Sequence, residues 1–166
     1  EKEIKLDIVE YVKSDDELKE QIHKISTIPG IGELTATIIL AETNGFELIR
    51  NKRQLTSYAG LDVKEKLSGT SVKGKPKISK RGNRYLRKAV YFPALTAIRH
   101  NQFHSETFVR LVGRHGIKMK ALVAIQRKLL ELVYILYKNN TVYDSKYEEK
   151  KKALLENAKP LESSLC

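Results

Sequence analysis

Apolar side chains return every three or four residues along most of this chain, and the rhythm breaks at few places. In 1–25, Ile4, Ile8, Tyr11 or Val12, Leu18, Ile22 and Ile25 keep mostly such steps with charges between them. That spacing predicts one amphipathic helix, or two with an interruption near Ser14-Asp15. Pro29, Gly30 and Gly32 then force a tight turn, after which Leu34, Ile38 and Ala41 resume helical spacing until Asn44-Gly45 stops it. Short helical signals occupy 51–59. From Asn83 to about Arg99 the period returns, with Pro93 expected to kink or split it. Helices over 104–114 and 117–138 follow, the second carrying Leu122, Ile125, Leu129, Leu132, Val133 and Leu136 as a core-facing stripe.

Two stretches lack the period. Residues 60–82 are irregular and glycine-containing, with room for a short β-hairpin, and 139–166 is a polar tail with one weak helix near 144–157. The expected fold is therefore mostly α: a helical domain over 26–138, an N-terminal helical arm over 1–25, and the tail. The arm reads as the stub of a coiled coil, although it is too short to establish heptads. At 166 residues one domain is expected, and a first residue lying inside a charged helical pattern suggests a fragment of a longer protein.

Charge changes the picture. The net charge is +11, yet Lys52 to Lys128 holds 19 basic and 3 acidic residues, a net of +16, while the flanks sum to −5. Basic charge concentrated in the middle of a chain is the footprint of a polyanion partner, whose counterions are released on binding. The single cysteine, Cys166, excludes an intramolecular disulfide and a cysteine-based metal centre. The longest apolar candidate, 117–137, is broken by Lys118, Lys120, Arg127, Lys128 and Glu131, so no membrane span is expected and the reading is cytoplasmic.

The turn Pro29-Gly30-Ile31-Gly32 has its own chemistry. Gly30 and Gly32 let backbone amides face outward just where a helix begins, so that Gly30, Ile31 and Gly32 make a candidate site for one phosphate, with the Ile31 side chain plugging the core below. Ile28-Pro29-Gly30-Ile31-Gly32, followed by Thr35-Ala36 and Ile38-Ile39-Leu40, resembles a helix-hairpin-helix element. Such an element positions a nucleic-acid backbone and does not read its sequence. Chain reversal alone is the simpler explanation of the same glycines.

A second candidate lies between. Lys73, Lys75, Lys77, Lys80, Arg81, Arg84, Arg87 and Lys88 fall within sixteen positions that contain no carboxylate, a density that an anionic partner would offset. On the helix after Asn83, Arg84, Arg87, Lys88 and Tyr91 share one face, and Leu86, Ala89, Val90 and Ala97 the other. Upstream sits Ser68-Gly69-Thr70-Ser71. A serine hydroxyl is a poor nucleophile without a base or a metal, and only Asp62 and Glu65 are near in sequence, a weak metal signal. On the residues alone Ser68 is a turn residue. The histidines, His23, His100, His104 and His115, lack ligand spacing and are expected to be solvated, and Tyr134, Tyr137, Tyr143 and Tyr147 are expected to pack.

The run from Ile28 through "LTSYAGLDVKEKLSGTSVKGKPKISKRGNRYLRKAVY" resembles the C-terminal domain of the bacterial insertion-sequence transposases related to the pilin-gene invertases, the bridge-RNA-guided recombinases. Tyr58-Ala59-Gly60-Leu61, Ser68-Gly69, Ile78-Ser79-Lys80-Arg81-Gly82-Asn83 and Leu86-Arg87 carry the likeness, over roughly 26–115. The resemblance implies a serine that attacks DNA, Ser68 with Ser71 as the runner-up. It also implies an N-terminal RuvC-like domain whose four acids hold divalent metal, with Mg2+ the expected ion, and which has no counterpart here. DNA, a guide RNA and a homo-oligomer are the implied partners, and an isolated C-terminal fragment would lack half its active site, with no metal site or cofactor of its own. The alternative is a non-catalytic helix-hairpin-helix DNA-binding module of a repair or junction-binding protein, which has no need of Ser68-Gly69.

Overall fold

The computed structural model describes residues 12, 14–64, 67–68, 72–73, 77–147 and 150. Asp15 opens the first complete helix, α1 (Asp16–Ser26), with its carboxylate accepting from the Leu18 amide. Asp16 and Glu17 lie in its first turn and His23 and Lys24 in its last, which complements the helix dipole at both ends. The expected interruption near Ser14-Asp15 is this cap. After the Pro-Gly-Ile-Gly turn comes α2 (Glu33–Thr43), which ends at left-handed Asn44. Gly45 and Phe46 also have positive φ. Phe46 tolerates that backbone because its ring is fully buried, edge-on to Tyr134 at 5.4 Å and 5.2 Å from Tyr137. Core burial thus outweighs a local strain of about 1–3 kcal/mol.

Asn51 caps α3 (Lys52–Tyr58) by accepting from the Gln54 amide. Two antiparallel ladders follow, β1 (Val63–Lys64) with β4 (Lys77–Ile78) and β2 (Leu67–Ser68) with β3 (Val72–Lys73). Val63 faces Ile78 and Ser68 faces Val72, so the inner ladder is nested within the outer one. The expected hairpin is present as this two-tier ribbon.

Asn83 caps α4 (Arg84–Ala89) by accepting from the Tyr85 and Leu86 amides. The chain then passes through Val90 into α5 (Tyr91–His100). The break falls at Val90, not at Pro93, because Pro93 occupies the first turn of α5, where a missing N–H leaves no helical bond unmade. Asn101 caps α6 (Gln102–His115), which ends at Gly116 with φ 67, and α7 (Lys118–Asn139) completes the described helices.

Helix α7 is the spine, packed against α1, α3, α5 and α6, while α2 packs on α1 and α4. Its buried face holds Leu122, Ile125, Leu129, Val133 and Leu136 as the periodicity predicts, and Leu130 in addition. Leu132 is only half-buried. Neighbours on several sides widen the apolar stripe beyond one seam. The mostly helical class stands.

Ile22 and Ile25 of α1 belong to the same core as α7, so the part of the expected arm from Asp16 onward is a packed helix. The segment after α7 returns to it: the Tyr143 amide donates to Thr27 Oγ1 at 2.9 Å, and Gln21 and Lys24 both donate to Asn140 Oδ1. Exposed Glu20 has its pKa lowered by the hydrogen bond and charge of Lys24. Residues 151–166, with most of the weak helix expected near 144–157, lie outside the described residues.

His104 is a correction. It is only 4% exposed, not solvated, because Asn101 restarts the helix and turns the third residue of α6 inward. His23, His100 and His115 are exposed. Tyr134, Tyr137 and Tyr143 pack against the core, whereas Tyr147 is exposed.

Candidate nucleic-acid interface

The site is built where two distant turns interlock. At the end of α3, Gly60 takes φ 66, and across from it Lys80 and Gly82 take φ 53 and 132. Lys80 N donates to Gly60 O at 3.1 Å, Ser79 N to Asp62 O at 2.8 Å, and Asn83 N to Tyr58 O at 2.7 Å. The pairing of 58–62 with 79–83 forms the base from which the ribbon projects. Glycine is required at both corners: a Cβ on Gly82 would lie 2.3 Å from Tyr58 O, and one on Gly60 2.7 Å from Arg81 O.

Carboxylates hold the returning segment at both ends. Ser79 Oγ donates to Asp62 Oδ1, and Asn83 Nδ2 donates to Glu42 Oε2, while Glu42 O accepts from the Tyr58 hydroxyl. The periodicity reading singled out neither Glu42 nor Ser79. One signal was available for Glu42: an acid in the last turn of a helix opposes the helix dipole and is favoured by a partner elsewhere. The Asp62 and Glu42 carboxylates are thus engaged by Ser79 and Asn83; among the described residues no three His, Cys, Asp or Glu side chains gather, and Glu65 lies outside them.

Lys77, Lys80, Arg81, Arg84 and Lys88 are exposed around this base, free to face a polyanion. Arg87, on the same predicted face, has another task. Its Nη1 donates to Ala59 O at 2.7 Å and more weakly to Gly82 O and Asn83 O, bracing the interlock from α4. Ser68 and Lys73 sit on the inner ladder, with three residues joining Ser68 to its partner Val72. Ser71 and Lys75 lie outside the described residues.

The Pro-Gly-Ile-Gly turn divides its work between its glycines. Gly30 has φ 93 and packs on α5, where an added Cβ would be 2.6 Å from Pro93 O. Ile31 is buried and its amide donates to Ile28 O. Only Gly32 is open, with nothing within 4 Å of an added Cβ, and it begins α2 without a side-chain cap. Outward amides are therefore expected from Gly32 onward and not from Ile31, with exposed Glu33 beside them.

The interlocked segments, the ribbon and the turn all fall in one span of family similarity: residues 22–110 match the Transposase IS116/IS110/IS902 family. The chain belongs to that family. It is 30% identical over 134 residues to the pilin gene-inverting protein of Moraxella bovis, covering 80% of this chain and 42% of that protein. Against the transposase for insertion sequence element IS1111A of Coxiella burnetii it is 28% identical over 143 residues, 82% of this chain and 38% of the relative. An insertion element IS110 protein of Streptomyces coelicolor is 26% identical over 122 residues, 74% of this chain and 30% of the relative. The transposase-family chain thus spans less than half the length of each. No described helix is long and apolar enough to cross a membrane.

Proposed function

We propose that this chain is the C-terminal DNA-binding part of an insertion-sequence transposase and that Ser68 is its nucleophile. In the complete enzyme the Ser68 hydroxyl attacks a DNA phosphorus. A serine–phosphate ester forms, one deoxyribose O–P bond breaks, and the proton ends on the departing deoxyribose oxygen, so each phosphodiester broken is conserved in the covalent intermediate.

The observation that carries the reading is the ribbon in whose inner ladder Ser68 pairs with Val72, rooted in a base where Lys77, Lys80, Arg81 and Arg84 are exposed. Cations at the ribbon's root would hold phosphates that flank the one under attack and so orient the strand towards Ser68. Gly32 and the first amides of α2 add a backbone contact of helix-hairpin-helix type. A guide RNA and a homo-oligomer belong to the same proposal, as does a RuvC-like portion outside this chain carrying the acids for Mg2+.

The test is to incubate the full-length protein with its element ends and isolate serine-linked protein–DNA adduct. Loss of adduct in Ser68→Ala with retention in Ser71→Ala is the expected outcome. An adduct that persists in Ser68→Ala removes Ser68 from the mechanism.

A further inference from the structure

Helices α4 and α5 follow one another with a single residue between them. Val90 alone departs from helical assignment, while Val90 N still donates to Leu86 O and Ala94 N to Val90 O. Along the two helices the exposed positions Arg84 or Tyr85, Lys88, Phe92, Thr96 and Arg99 recur at three- and four-residue steps, and no carboxylate occurs anywhere in 84–100. Phe92 is 73% exposed and Tyr85 56%, although both types normally hide most of their ring.

Phe92 is nonetheless held in place. Half-buried Tyr91, packed on the core, meets its ring edge-on at 5.4 Å and 85°. Arg84 lies over the Tyr85 ring at 5.7 Å. The two exposed rings stand seven positions apart, with Lys88 between them and Arg99 beyond. Thr96 borders the Pro-Gly-Ile-Gly turn, its Cβ 3.3 Å from where a Gly30 Cβ would stand.

From this we infer that the α4–α5 face is a stacking platform for unpaired bases of a single-stranded polynucleotide, with Phe92 and Tyr85 as the rings and Arg84, Lys88 and Arg99 on the phosphates. Aromatic faces alternating with cations suit a strand whose bases are splayed, whereas a paired duplex hides its base faces. A protein partner would meet two isolated rings set among the cations Arg84, Lys88 and Arg99 with no carboxylate beside them, a poor match for an apolar interface. The inference rests on the nucleic-acid reading above and narrows it to unpaired strands.

The test is anisotropy titration of the chain with an oligothymidylate, an oligouridylate and a duplex DNA of equal length. Phe92→Ala should weaken single-strand binding roughly 5- to 150-fold and change duplex binding less than about twofold, since phosphate contacts dominate there. Phe92→Trp should restore the affinity, and its indole, the only one in a chain without tryptophan, should be quenched by the strand. The oligomer that loses more identifies the natural strand as DNA or RNA. Equal loss on strand and duplex, no loss on either, or loss of self-association in place of nucleic-acid binding would each overturn the platform. If the wild-type chain binds neither strand nor duplex at low salt, the underlying nucleic-acid reading fails as well; binding of both, indifferent to Phe92, sinks the platform alone.

Discussion

Gly60 and Gly82 sit against one another across 22 residues of chain: a Cβ on Gly82 would lie 3.0 Å from Gly60 N, and both residues have positive φ. Their closeness sets where the ribbon leaves the helical body and therefore where Ser68 is carried.

Gly82→Ala should be among the most damaging single substitutions. The added carbon would meet Tyr58 O at 2.3 Å and Gly60 N at 3.0 Å, both backbone atoms, at φ 132 where L-residues are strained. A loss of about 3 kcal/mol is expected, measured as a lowered urea midpoint with unchanged slope. A midpoint within experimental scatter of the wild type would mean that the interlock is loose.

The two turn glycines should separate in the same assay. Gly30→Ala forces a carbon to within 2.6 Å of Pro93 O at φ 93 and should destabilise by about 3 kcal/mol. Gly32→Ala meets open space and costs no more than about 1 kcal/mol through its poorer N-cap propensity. If both variants lose stability equally, Gly32 has a packing role absent from this arrangement.

Gly113 offers a gain. It lies inside α6 with nothing within 4 Å of an added Cβ, so Gly113→Ala should raise stability by about 0.5–1 kcal/mol through helix propensity alone. Thermal melting checks it, and a lowered midpoint would point to a contact made through the bare backbone.

Much of the helical scaffold was legible because burial imposes a period. The stripe of α7 lies where Leu122, Ile125, Leu129 and Val133 place it, and the α6 and α7 boundaries fall within two residues of expectation. Legibility ended where one side chain answers to residues far away in sequence. Arg87 shares a helix face with exposed Arg84 and Lys88, yet it turns to Ala59 O, 28 positions earlier. His104 reads as one more polar residue until Asn101 sets the register of α6. Gly30 and Gly32 are chemically identical and differ only in that α5 lies against one of them. Ser68 is the limiting case: the residues alone make it a turn residue, the backbone pairs it with Val72 in the inner ladder, and its proposed role rests on the family resemblance.

Arg87 and Lys88, adjacent in α4, should therefore fail in opposite ways. Arg87→Ala removes a guanidinium that bonds the Ala59 carbonyl at 2.7 Å and should cost about 1.5–3 kcal/mol of stability, the usual worth of a hydrogen bond to a charged group. Lys88 is exposed, so Lys88→Ala should leave stability within about 0.5 kcal/mol. Its effect should appear in binding: affinity for duplex DNA falls, and the slope of log K against log salt becomes shallower by about 0.9, the share of one released counterion. Arg87→Lys cannot restore the brace fully, because an ammonium does not reproduce the planar fork. Denaturation and a salt series on the same three variants decide the assignment. A Lys88 variant with unchanged slope, or an Arg87 variant with unchanged stability and a reduced slope, would exchange the two roles.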